Sequence, residues 1–480
     1  QLWQDAVFPR WLPEANGGFG SPVFFFYPPL AHLAAALLYP FTADPALVPL
    51  RLALASAAAM AIGAAGMLAW LRGTIGRGPA LAAAFVYLLA PYHLLIDLYV
   101  RMAYAELWAF ALAPWLFWAA RRLPQAPRLA AAWLALLFAA LLLSHAPSAL
   151  ALPPAILVYA AAVCQAERRP GLAALAVAAL PLACLLAAQY LATAIGHADL
   201  IDETQLFDGR FHYANWFLFG PARWPGGEIQ PLILVVFLVQ GGLGLVLAPL
   251  AARGRQRQAA WALGLISLGC AFMTTVWSAP VWQLLPMLQK VQFPWRLFLP
   301  QSVVLAALAG LAVAACRDGA TLAARLRRTL VAAGMLGVAL VNLAFLPSLV
   351  RRAERLEAAG VQESPDVPEY ALGDVAELQR LFPDGARLAV LAGQGSAELL
   401  LQEPRRAILA VEAAEPMTLA LHQFRYSGWR QSLDGQAATE APATDAPAES
   451  SEAPADSSAP ADTAMSRMIP GRSRSSCCAA

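Results

Sequence analysis

Charge is scarce in this chain: Asp, Glu, Lys and Arg make up only 13% of its 480 residues, against 59% that are hydrophobic. A water-soluble domain of this size needs more polar cover, so lipid is the expected solvent for most of it. Lysine is nearly absent, Lys290 being the only one, and the arginines are scattered between hydrophobic runs. With a net charge of +2 and no basic stripe, nucleic acid is excluded as an expected partner. Also lacking are a CxxC pair and an HExxH motif, so neither a redox pair nor a structural metal site is expected. Cysteines 164, 184, 270 and 316 fall in apolar runs, and Cys477 and Cys478 adjoin near the end. The chain opens on Gln1 with no methionine and no signal peptide, from which we expect its natural N-terminus to be missing.

What is present is a series of apolar runs of spanning length, roughly 17 to 25 residues for a hydrocarbon core of about 30 Å. They fall near 50–71, 79–97, 107–120, 129–144, 148–164, 172–195, 229–251, 259–278, 297–316 and 329–347. The expected fold is therefore an all-α polytopic membrane protein of about ten spans. Alternate loops carry Arg72 and Arg77; Arg121, Arg122 and Arg128; Arg168 and Arg169; Arg253, Arg255 and Arg257; and Arg317, Arg325, Arg327 and Arg328. The positive-inside rule assigns these to the cytoplasm and the long, aromatic, arginine-poor loops to the outer face. Counting residues 24–41 as a further span would invert that scheme, so a helix lying along or re-entering the outer face is expected there.

The expected division is an outer segment over 1–49, membrane helices over 50–348, a small extracytoplasmic α+β domain over 349–436 and a disordered tail over 437–480. Alternating runs such as RAILAVEA and MTLALHQF read as strands of a half-buried sheet. The Ala, Pro, Ser, Thr, Asp and Glu of 437–464 bury too little apolar surface to fold.

Ionisable residues near membrane depth are functional candidates by default. In DLYVRMAYAE, Asp97 and Arg101 share a helical face and Glu106 follows on the next turn, with Tyr92, Tyr99 and Tyr104 nearby. An arginine fork there suits a phosphate, with a carboxylate as base or metal ligand; a mutual ion pair between helix ends is the plainer alternative. His145 sits where one helix ends and the next begins, placed to act as acid or base or simply to bond a carbonyl. In VQFPWRLFLP, Trp295 is expected at the interface. Arg296, unfavourable at a helix start unless an anion compensates, is a second phosphate-binding candidate. The loop 196–228 mixes histidines, carboxylates and aromatics such as Phe211, Tyr213 and Trp216, a composition suited to stacking on a sugar or to an ordinary solvated loop.

FPRWLPEANGGFGSPVFFFYPPL, DLYVRMAYAE, LLSHAPSAL and QFPWRLF, taken in order, resemble bacterial integral membrane proteins labelled as 6-pyruvoyl-tetrahydropterin synthase-related, which are similar to the glycosyltransferase C superfamily. The resemblance implies an inner-membrane protein that moves a sugar from a polyprenyl-phosphate carrier to an acceptor on the outer face. Under it, Glu106, Asp97 and His145 are the catalytic candidates, and Arg101, Tyr104, Arg296, Trp295, Tyr27 and Arg10 the substrate-binding ones. A divalent cation is left open as a cofactor. The superfamily's acidic residue after the first span has no clear counterpart here, which keeps open a non-catalytic assembly protein. A lipid or polysaccharide transporter is the other alternative, although no internal repeat supports it.

Overall fold

A computed structural model describes residues 10–201, 207, 209–220, 229–316, 322–358, 370–371, 374–403, 406–424, 429–434, 436–437, 463–468 and 471–479. The chain divides into two compact units: a helical unit over 28–193 and 206–362, and a mixed unit over 1–27, 194–205 and 363–480.

Every expected hydrophobic run carries a helix. In order these are α1 (Val48–Ile75), α2 (Arg77–Leu88), α3 (Tyr104–Arg122), α4 (Pro127–Leu142), α5 (Ala146–Ala166), α6 (Ala174–Leu186), α7 (Ala188–Gly196), α8 (Ile229–Ala251), α9 (Arg257–Met273), α10 (Phe298–Ala315) and α11 (Leu322–Ala358). Beyond α2 and Pro91 the chain winds on as a π-helix, Tyr92–Val100. By length and composition, six helices among the described residues suffice to cross a membrane: Pro45–Ile75, Arg77–Val100, Ala146–Ala166, Ile229–Ala251, Pro294–Ala315 and Arg328–Arg351. A seventh arises if α6 and α7, bent by 67°, form one broken span. The count is lower than the expected ten for physical reasons. With 16 and 17 residues, α4 and α9 reach only about 24 to 26 Å. Glu106 at the start of α3 and Arg121 and Arg122 at its end dilute its hydropathy.

At the centre of the helical unit stands α10, buried continuously from Phe298 to Ala312. It approaches α2 closely at Gly310, where a Cβ would meet the Ala83 Cβ at 2.8 Å and the Pro79 carbonyl at 2.9 Å. Polar seams tie it to its neighbours: Gln240 of α8 donates to Ser302 at 2.8 Å, and Gln301 donates to the Ser267 carbonyl of α9 at 3.0 Å. By contrast α11 is mostly exposed along its span. It runs unbroken for 37 residues, about 55 Å, so the Arg/Glu stretch expected to start a new domain at 349 is instead its last turns. The segment 24–41 is broken into short pieces, of which Leu30–Phe41 is too short to span.

The mixed unit is discontinuous in sequence, which differs from the expected contiguous domain over 349–436. Asp374 caps the short helix Val375–Gln379, accepting from the amides of Ala376 and Glu377. Strands β1 (Leu388–Ala392), β2 (Gly395–Glu403), β3 (Arg406–Ala413), β4 (Met417–Phe424), β5 (Trp429–Leu433), β6 (Gln436–Ala437), β7 (Thr463–Met468) and β8 (Gly471–Ala479) form two antiparallel sheets, ordered β1-β4-β7 and β2-β3-β8-β5-β6. Alternation places Leu409 and Val411 of β3 against Met417, Leu419 and Leu421 of β4 in one core. The expected disordered tail differs at its end, where β7 and β8 pair with β4 and β3; residues 438–462 lie outside the described ones. The other face of β4 explains the N-terminal contribution: Phe19 packs with Phe382, Phe424 and Ala420, and the Phe424 amide donates to the Phe19 carbonyl at 2.7 Å. Gly18, at φ +93°, lies so close to Arg387 that a Cβ would meet its Nη1 at 2.6 Å. Beside it His422 is held neutral, its pKa lowered to about 4 by burial and then by the Arg387 guanidinium, whose Nη1 sits 3.3 Å from Nδ1.

Candidate functional site

Three segments that carry ionisable candidates, DLYVRMAYAE, the turn at His145 and VQFPWRLFLP, meet at one end of the helical unit. Glu106, on the first turn of α3, is fully buried and is the hub. Its Oε1 accepts from the Tyr92 hydroxyl at 2.5 Å, and its Oε2 accepts from Arg101 Nη1 at 2.8 Å. Arg296 Nε lies 3.5 Å from the same Oε2, and His145 Nε2 lies at 4.0 Å. Arg101 Nη1 also reaches Asp97 Oδ1 at 3.2 Å, so two buried carboxylates share one guanidinium nitrogen. A buried carboxylate without such partners would be strongly destabilising, so the cluster is held together by its own charges.

Local backbone features aim these side chains. In the π-helix, Tyr92 and Asp97, five residues apart, return to one side, as its i to i+5 bonding dictates. The chain then turns sharply at Met102, in the left-handed region at φ 51°, which brings α3 back over Arg101. On the facing side, Gln292 takes φ 66°, and Arg296 Nη1 donates to the Val291 carbonyl and to Gln292 Oε1, both at 2.8 Å. Each such non-glycine turn costs on the order of 1 kcal/mol, and strain of this kind gathers at functional sites. His145 is the N-cap residue of α5, with Nδ1 2.7 Å from the Ser148 hydroxyl three residues on.

An aromatic shelf completes the cluster. Phe293 and Trp295 stack at 4.8 Å, and Arg101 lies 4.7 Å over the Trp295 ring while Arg296 lies 4.9 Å over Phe293. Trp295 is buried at 2% exposure, wedged between Tyr92 and the Trp216 ring. Arg296 finds its compensating anion within the chain, in Glu106. The residual exposure of the cluster belongs to its two arginines and its histidine: 17% for the Arg101 side chain and 10% for Arg296 and His145, against none for Asp97 and Glu106. Asp97 Oδ2 and Trp295 Nε1 are buried without a hydrogen bond among the described residues.

Six of the nine candidates thus come together: Glu106, Asp97, His145, Arg101, Arg296 and Trp295. Tyr104 is half-buried beside His32, with ring centroids 6.3 Å apart. Arg10 and Tyr27 belong to the mixed unit, where Arg10 lies 5.8 Å over Phe25. Tyr92, Gln292, Ser148 and Phe293 join the site without having been singled out as its members. In the loop 196–228, Phe211 and Trp216 pack on Phe293 and Tyr213 stacks on Trp282, so these aromatics serve the core. Asp202, Glu203, Asp208 and Trp224 lie outside the described residues. Among the described residues no three His, Cys, Asp or Glu side chains gather as a metal site. Both oxygens of Glu106 are already held by donors. Comparison with protein families, with characterised proteins and with solved structures found no match to this chain.

Proposed function

We propose that the chain is a glycosyltransferase-like protein of the bacterial inner membrane, moving a sugar from a polyprenyl-phosphate donor to an acceptor on the outer face. The observation that carries this reading is the sidedness of the cluster: its carboxylates are sealed, while Arg101, Arg296 and His145 keep the exposure. An approaching phosphate meets cations first, on a shelf formed by Phe293 and Trp295. Arg101 and Arg296 bind the donor phosphate, drawing away from Glu106 as they do so. Glu106, relieved of part of its counter-charge, then accepts the proton of the acceptor hydroxyl as its oxygen bonds the sugar carbon and the carrier phosphate leaves. Asp97 orients Arg101, and His145 assists as a donor. The mixed unit then faces the periplasm or the outside.

Turnover of lipid-linked sugar in membranes carrying the full-length gene tests this. Arg101→Lys keeps the charge but loses the planar fork, and is expected to lower transfer by about a hundredfold at matched levels of folded protein. Absence of turnover by the wild type with every polyprenyl-phosphate donor would sink the reading. A second reading then takes over, favoured by the pairing of both Glu106 oxygens: the cluster is a clasp that fixes helix ends in a non-catalytic assembly protein.

A further inference from the structure

The opposite end of the helical unit holds a second concentration of charge that the proposed transfer does not use. Arg121 and Arg122 end α3, Arg128 opens α4, and Arg168 and Arg169 follow α5. Because Glu106 starts α3 and Arg121 closes it, the two charged regions lie roughly 22 Å apart along that helix. Two contacts tie the loops of this corner together. Arg169 Nη1 donates to the Pro124 carbonyl at 2.9 Å, and Arg121 Nη2 lies 3.8 Å from Glu167. Arg168 turns the chain there at φ 56°. Five arginines therefore share the corner with a single nearby carboxylate, and Arg122, Arg128 and Arg168 are exposed with no ion pair among the described residues.

The ground beside these cations is apolar and aromatic. Arg122 lies 4.7 Å over the Trp118 ring, which meets Trp133 edge-on with centroids 6.1 Å apart. Trp133 is 42% exposed and Leu129, next to Arg128, is 58% exposed. Exposed tryptophan and leucine adjoining unpaired arginines at a helix end match the boundary between acyl chains and headgroups.

We infer that this corner docks the phosphate of an anionic phospholipid headgroup on Arg122, Arg128 and Arg168, with the acyl chains running along Trp133 and Leu129. Charge complementarity selects an anionic lipid over a zwitterionic one, and the adjoining apolar surface selects a lipid over free phosphate. The inference does not depend on the transfer reaction.

Native mass spectrometry of the purified full chain, exposed in detergent to phosphatidylglycerol or to phosphatidylcholine, tests it. The wild type is expected to retain phosphatidylglycerol preferentially. Arg122→Gln/Arg128→Gln/Arg168→Gln is expected to weaken that retention by about fivefold per arginine, on the order of a hundredfold in all. Equal retention of the two lipids by the wild type overturns the proposal, as does unchanged retention by the triple variant or displacement of the lipid by an equal concentration of inorganic phosphate. Should the triple variant fail to fold, the wild type still decides: retention that does not fall with added salt also overturns it.

Discussion

At one end of the helical unit Arg101 and Arg296 converge on a buried glutamate, while at the other Arg122, Arg128 and Arg168 stand exposed without an acidic partner among the described residues. The residue type is the same and the helices are shared, since α3 contributes to both ends. Burial makes the difference. A guanidinium taken out of water must find its anion inside the chain, whereas one left at the surface can keep its water or take a partner from outside. The Glu106 end consequently finds its counter-charges within the chain, and the arginine corner leaves them to be supplied from outside.

The largest effect is expected where this contrast is broken at its hub. Glu106→Ala leaves two partly buried arginines without their shared counter-ion and the Tyr92 hydroxyl without its acceptor, and a loss of about 3–5 kcal/mol is expected, read as a lowered unfolding temperature in detergent. A melting temperature equal to that of the wild type would mean that the cluster contributes nothing to the fold. The mixed unit supplies a third kind of charge site, a buried histidine beside an arginine. Because the folded pKa of His422 is lowered to about 4 from 6.5, the unfolded chain binds more protons between those values. Stability is therefore full above about pH 6.5 and lost as pH falls toward 4. His422→Gln is expected to flatten that slope in thermal melts of the full chain, and an unaltered slope would assign the acid sensitivity to other groups. The smallest effect belongs to the arginine corner: Arg121→Ala breaks only a surface pair with Glu167 at 3.8 Å, and is expected to cost under about 1 kcal/mol. A loss comparable to that of Glu106→Ala would erase the distinction between the two ends.

The positions of the membrane helices were legible because a 3.6-residue turn and an apolar run leave a local signature. Which of them are long enough to span was less so, since α4 and α9 differ from their neighbours by only a turn or two. The spacing of Asp97 and Arg101 was readable for the same local reason. Tyr92 was noticed only as a neighbour, since five residues along an α-helix would point it well away from Asp97, and nothing in YHLLIDLYV announces a π-helix. Arg296 showed the opposite case: its dipole problem was legible and called for an anion, but the anion proved to be Glu106, far away in sequence, and no local pattern records such a pairing. In the mixed unit, alternation revealed β1 to β4, whereas the Gly18–Phe19 contribution depends on a long-range fit to β4.

That fit has a consequence in time. The Gly18 carbonyl accepts from Arg387, 369 residues later in the chain, and Phe19 meets Phe424. During synthesis at about 5–20 residues per second, the glycine loop therefore waits on the order of tens of seconds for its partner strands to be made. Helices α1 to α11 emerge in that interval, so the mixed unit closes after them.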